Sequence, residues 1–248
     1  MDLKIKNKFL KLWEKYFGDA ELPITFYYRA DAGNAKSASR PRGRSCLICE
    51  LVQVRNGESL AFGAEAIACP GARRYLGYSE KIREDFEYFL SYGIPGKMEG
   101  ERYVRTPEMV LEWQKHHKPI EDAQGNFIIF KRWDKLEESD DPAVVIFFAK
   151  PDILSGLFTL ANFDQTEPNS TFTPFGAGCG TIVHYPYLEK DAERPRAVIG
   201  MFDPSARPCV PKDTLSFAVP MVKFEKMISY MEESFLITET WETVKTRI

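Results

Sequence analysis

Leu3, Phe9, Leu10, Trp13 and Phe17 recur at helical spacing among lysines and Glu14, so an amphipathic helix opens the chain and Gly18 suits its end. A lysine-and-aromatic pattern of this kind also serves helices that lie on a membrane surface, but packing on its own domain is the commoner use. The run PITFYY (23–28) is β-branched and aromatic and reads as a strand. RADAGNAKSASRPRGR (29–44) has no apolar period and reads as a loop. In SCLICELVQVRNG (45–57), Ser45 suits an N-cap and Gly57 a helix stop, which favours a helix. The Asn-Gly between LVQV and SLAF also fits a hairpin.

Residues 80–92 and 107–117 carry helical patterns, the second from Pro107, a favoured first-turn residue. GNFIIFKRW (125–133) and AVVIFFA (143–149) read as strands, and PDILSGLFTLANF (151–163) as a helix. Strands are expected at TIVHYP (181–186), AVIGMF (197–202) and TLSFAVP (214–220), then a helix over 221–235. This order predicts a single mixed α/β or α+β domain over 21–236, preceded by the helix in 1–20 and followed by a tail, 237–248.

Two stretches share an order of features. PITFYY, the CLICELV helix and FGAEAIAC are matched by AVVIFF, the DILSGLF helix and FGAGC. The match suggests two related half-units around a cleft, with Cys69 and Cys179 facing each other.

Composition narrows the class. A chain of 248 residues, 44% hydrophobic and 28% charged, is long enough to bury a core unaided and ordinary enough to exclude disordered and fibrous classes. A net charge of −3 gives no global attraction to phosphate backbones, so nucleic acid is not an expected partner. AVVIFFA, the longest apolar run, falls far short of the roughly 20 residues of a membrane span. The lysine-rich start lacks the apolar core of a secretory signal. Five cysteines, an odd number, suggest free thiols in a reducing compartment, the cytoplasm, rather than a disulfide framework.

The cysteines carry the candidate chemistry. Cys46 and Cys49 form a lone Cys-x-x-Cys pair, which suits thiol activation at a helix start or a shared metal. Cys49, among Leu47, Ile48 and Leu51, reads as a small buried side chain. Cys69 precedes Pro70 and Gly71, with Arg73 and Arg74 about a turn later. That arrangement puts the thiol at a helix N-terminus, where free N–H groups and positive charge favour an anion. Cys179 lies in GAGCG, where Gly178 and its neighbours allow close backbone approach, and His184 follows. His184 reads as an ordinary half-buried strand residue. His116 and His117, beside Lys115 and Lys118, read as a solvated helix face and poor ligands. Cys209, in FDPSARPCVPKD, reads as a turn residue. The bases Arg29, Lys36, Arg40, Arg42 and Arg44 suit a solvated loop or an arm over an anion.

CPGARRYLGY, CLICELVQVRNGESLAFG and FDPSARP…LSFAVPMVKFEKM together resemble the uncharacterised bacterial and archaeal domain of unknown function 169, over about residues 8–235. The resemblance implies one recurring domain with cysteines in its central motifs and brings no reaction. Cys46 and Cys69 match those motifs best. The leading expectation is cysteine-centred binding of a metal, an iron–sulfur cluster or a small anionic ligand. Cys46, Cys69 and Cys179 would be metal ligands, with Cys69, Arg73, Arg74, Gly178 and Cys179 facing a ligand. The alternatives are a thiol-dependent enzyme acting on a small metabolite and a non-catalytic interaction or regulatory protein.

Overall fold

The computed structural model describes residues 1–43, 45–117, 120 and 125–248. Arg44 and Lys118 therefore lie outside the described residues. Helix α1 (Leu3–Phe17) is capped by Asp2, whose side chain accepts from the Lys4 amide at 2.7 Å, and ends at Gly18 with φ 60°. Strands β1 (Ile24–Arg29) and β2 (Lys36–Ser37) precede helices α2 (Leu47–Glu50) and α3 (Val52–Arg55), then β3 (Leu60–Gly63) and α4 (Pro70–Tyr75). An excursion follows, made of α5 (Phe86–Leu90), a small hairpin of β4 (Gly93–Ile94) and β5 (Met98–Glu99), and α6 (Pro107–Lys115). The chain then forms β6 (Phe127–Arg132), β7 (Val144–Ala149), α7 (Pro151–Ala161), β8 (Thr171–Phe172) and α8 (Tyr185–Glu189). It ends with β9 (Ala197–Gly200), β10 (Leu215–Pro220), α9 (Met221–Tyr230) and α10 (Glu239–Lys245).

Eight strands make one sheet in the order β2-β3-β6-β1-β7-β10-β9-β8. The central pairs are antiparallel, and both edge pairs, β2 with β3 and β8 with β9, are parallel. The architecture is α+β, as expected. Side chains alternate across the pleat. Ile24, Phe26, Ile128, Phe130, Val144 and Ile146 enter one core, and Val145, Phe147, Phe217 and Val219 enter the other. Burial on both faces explains why these strands read as nearly continuous apolar runs.

α1, α7, α9 and α10 cover the second core, where Phe9, Trp13, Phe17 and Trp241 pack ring on ring. The 237–248 stretch thus includes a helix anchored by Trp241, whose indole donates to the Tyr16 carbonyl at 2.9 Å. Toward the β2 edge a buried ion pair joins Lys131 to both Asp140 oxygens at 2.9 Å, with Asn34 accepting from the same ammonium and Tyr27 donating to the carboxylate.

Three expectations need correction. The 80–92 helix shrinks to Phe86–Leu90, because Asp85 adopts φ 57° before it and Gly93, at φ +82°, turns into the hairpin, where a Cβ would overlap the Met98 carbonyl. TIVHYP is not a strand: Gly180–His184 form a π-helical turn that runs into α8. All five residues of that turn are buried on the first face of the sheet, so no two-residue alternation exists to read. The two proposed half-units also differ in topology. α2 and α3 pack in the first core and α7 in the second, on opposite faces of the sheet, and the first Phe-Gly-Ala ends a strand while the second lies in a loop.

Candidate thiol site

Cys46, Cys69, Cys179 and Cys209 belong to or pack against the first core, whereas Cys49, expected to be a small buried side chain, is exposed. Cys46 is the N-cap of α2, extended at φ −91° and ψ 130°, one residue later than the serine expected to cap it. Its side chain makes no capping hydrogen bond, and burial pushes the thiol above its ordinary value, helped by the neighbouring Cys69 and Asp203 and opposed by the Ile48 and Cys49 amides. Cys69 caps α4 as the sequence predicts, with Pro70 in the first turn and the Ala72 amide 3.5 Å from its sulfur. Cys179 immediately precedes the π-helical turn. Burial raises its thiol well above the usual range, and the sulfurs of Cys69 and Cys46 add to the effect. Three thiols from three separated segments thus lie within electrostatic reach of one another.

The other two cysteines correct the expectation of free thiols throughout. Cys49 is bonded to Cys209, across 160 residues. Cys209 sits in a tight 3₁₀ turn (Arg207–Cys209) beside Arg207, whose guanidinium donates to the carbonyls of Met201, Pro211, Lys212 and Thr214. The bond ties α2 to this turn and brings the Cys-x-x-Cys segment against the loop that carries Asp203.

Asp203 is a site residue that the sequence reading missed. One carboxylate oxygen accepts from the Gly178 amide at 3.1 Å, and the other from the Ser205 amide and hydroxyl at 3.0 and 2.8 Å. It therefore fixes the Gly178–Cys179 backbone and puts negative charge beside Cys46 and Cys179. Gly178 is needed there because a Cβ would lie 2.9 Å from Ala206 Cβ and 3.2 Å from Met201 Sδ. Gly200 does the same from the sheet, since its Cβ would overlap the Thr181 side chain. Gly200→Ala is expected to cost about 1–3 kcal/mol by overpacking and to speed alkylation of Cys179. Urea unfolding together with mass-mapped iodoacetamide labelling checks both, and unchanged labelling of Cys179 would contradict the proposed seating of this turn.

Arg73 and Arg74 are both held by backbone. Arg73 Nε donates to the Ile67 carbonyl at 2.7 Å and Arg74 Nη1 to the Glu80 carbonyl at 2.9 Å. Arg74 acts on a neighbouring group, His117. Against the expected solvated face, His117 is buried and stacks on His184, with ring centroids 4.4 Å apart and planes 13° from parallel. Tyr75 lies edge-on to both rings, Trp113 flanks His117, and the Tyr185 hydroxyl stands 3.4 Å from His117 Nδ1. Burial, with the Arg74 charge, lowers the His117 pKa to about 4, so its imidazole is neutral at pH 7. Gly180 packs on the Tyr75 ring, which joins the histidine pair to the Cys179 segment. His116, by contrast, is exposed beside Glu112.

A signal for His117 exists in the sequence. Val110, Trp113 and His117 fall at i, i+3 and i+7, the spacing of a single helical face. Asp203 offers only an Asp-Pro-Ser turn, which any surface loop shares.

Among the described residues, no three His, Cys, Asp or Glu side chains stand in a geometry that could hold a metal ion. No helix among them is long and apolar enough to cross a membrane. A family model described as "Uncharacterised ArCR", domain of unknown function 169, matches residues 19–230. The chain belongs to this family. The match takes in every strand of the sheet and all five cysteines, so the thiol face lies wholly inside the domain of unknown function 169. No curated protein and no solved structure matches the chain.

Proposed function

We propose that this domain binds a soft metal ion or an iron–sulfur cluster through Cys46, Cys69 and Cys179. The observation that carries the reading is the convergence of these three free thiols, in which Cys46 and Cys179 are each pushed up by burial and by the sulfur charge of a neighbouring cysteine. A soft cation relieves exactly that repulsion, since thiolate ligands are deprotonated on binding and the metal charge offsets their desolvation. Because the sulfurs do not stand at ligating distances, capture would draw the half-buried Cys46 and Cys69 side chains inward. A reducing compartment such as the cytoplasm would keep these three thiols free, whereas the Cys49–Cys209 bond persists only where conditions are oxidising enough to hold it.

Metal analysis and visible absorbance of protein purified without oxygen test this reading. Near-stoichiometric metal, or iron with sulfide, is expected in the wild type and is lost in Cys69→Ser. Metal-free protein that takes up neither added Zn²⁺ nor ferrous iron with sulfide would end it.

The Cys49–Cys209 bond favours a second reading, thiol–disulfide exchange. Cys46 thiolate attacks the Cys49 sulfur, the Cys46–Cys49 bond forms, and Cys209 leaves as thiolate, with no net change in oxidation state. Disulfide mapping that finds Cys46–Cys49 alongside Cys49–Cys209 supports exchange, whereas a single fixed bond leaves metal binding as the reading.

A further inference from the structure

The described residues contain two buried lysines, and they are treated differently. Lys131 is paired with Asp140 at both carboxylate oxygens. Lys223, on α9, is 6% exposed, and its ammonium donates to the Ser170 hydroxyl at 2.5 Å. That hydroxyl donates in turn to the Ala161 carbonyl at 2.6 Å. No carboxylate lies within ion-pair distance of Lys223 among the described residues. A buried charge without a counter-charge is costly and calls for a partner.

Lys223 also lines a cavity of about 210 Å³, beside the β8 edge of the sheet, far along the strand order from the β2 edge. Lys190, Arg194 and Lys226 share its wall with the acids Asp164 and Glu193. Lys190 is matched by Asp191 at 2.5 Å and Arg194 by Glu167 at 2.7 Å, both near the surface. Of the remaining lining charges, Lys223 and Lys226 stand against Asp164 and Glu193, so the wall is balanced overall, and among the described residues Lys223 is the buried cation in it without a carboxylate at ion-pair distance. The volume is below the roughly 300 Å³ at which pockets for drug-sized ligands begin, so the occupant is small.

We infer that this cavity is a binding site for a small metabolite with a phosphate or carboxylate head group, which Lys223 Nζ anchors and Lys226 assists. Burial and the Lys226 charge lower the Lys223 pKa, while Asp164 opposes them, so an entering oxyanion restores the charged ammonium and is bound by a charge-assisted hydrogen bond. The site is independent of the thiol face, because α9 covers the opposite core.

Calorimetric titration with inorganic phosphate and with acetate, at constant ionic strength in chloride, tests the inference. Saturable binding of one of them is expected, and whichever binds identifies the head group as phosphate or carboxylate. Lys223→Met keeps the apolar stem and is expected to lose about tenfold or more in affinity; Lys36→Met, on β2, leaves it unchanged. In the wild type, the bound anion slows trinitrobenzenesulfonate labelling of Lys223, a readout that does not depend on the variant folding. Failure of both anions to bind, equal affinity in Lys223→Met, or labelling of Lys223 unaffected by the anion would overturn the proposal.

Discussion

Replacing Cys49 or Cys209 by serine lowers the melting temperature of oxidised protein by roughly 5–15 °C. The bond closes a loop of 160 residues, and long loops gain most from a cross-link because the unfolded chain loses the most freedom. The effect has a local part too. The bond holds α2 against the turn that carries Arg207, so Cys46 and the Asp203 loop lose a shared support. Dithiothreitol should bring the wild type down to the variants and leave the variants where they are. Calorimetry with and without reductant is the check, and equal melting temperatures in the oxidised state would mean that the bond does not constrain the fold.

Acid destabilises the wild type more than His117→Phe. In the fold the His117 pKa is depressed to about 4 from an ordinary 6.5. The unfolded chain therefore takes up a proton that the folded protein refuses, and stability falls as pH drops through that window. The neutral form is favoured in full above pH 6.5, and up to about 3 kcal/mol is lost by pH 4. Phenylalanine keeps a ring between His184, Tyr75 and Trp113 but cannot titrate. Near pH 7 it should stay within about 1 kcal/mol of wild type, the worth of the lost Tyr185 hydrogen bond. Urea midpoints at pH 7 and pH 4.5 measure the difference, and parallel losses in both proteins would show that His117 carries no proton linkage.

What the chain revealed of itself depended on how local each cause was. Val144–Ala149 and Phe127–Arg132 announce strands because burial on both faces forces apolar runs. Cys69 announces its cap because Pro70 follows it. The π-helical turn at Gly180–His184 could not be read, since its residues are buried by the sheet beneath them and carry no period of their own. The Cys49–Cys209 bond was hidden for a different reason: its partners are 160 residues apart, and nothing near either one encodes the other. Asp203 belongs with it, as its role exists only once Gly178 arrives across the loop.

Separation along the chain also has a consequence during synthesis. Cys46, Cys49 and Cys69 leave the ribosome long before Cys179 and Cys209, and at 5–20 residues per second the lag behind Cys49 is on the order of ten seconds or more. Throughout that interval the nearest partner for Cys49 is Cys46, three residues away, and not its native one. The nascent chain is therefore most exposed to mispairing before its last third exists. Oxidation during translation would favour the short Cys46–Cys49 loop, and the native bond would then have to be reached by reshuffling after release.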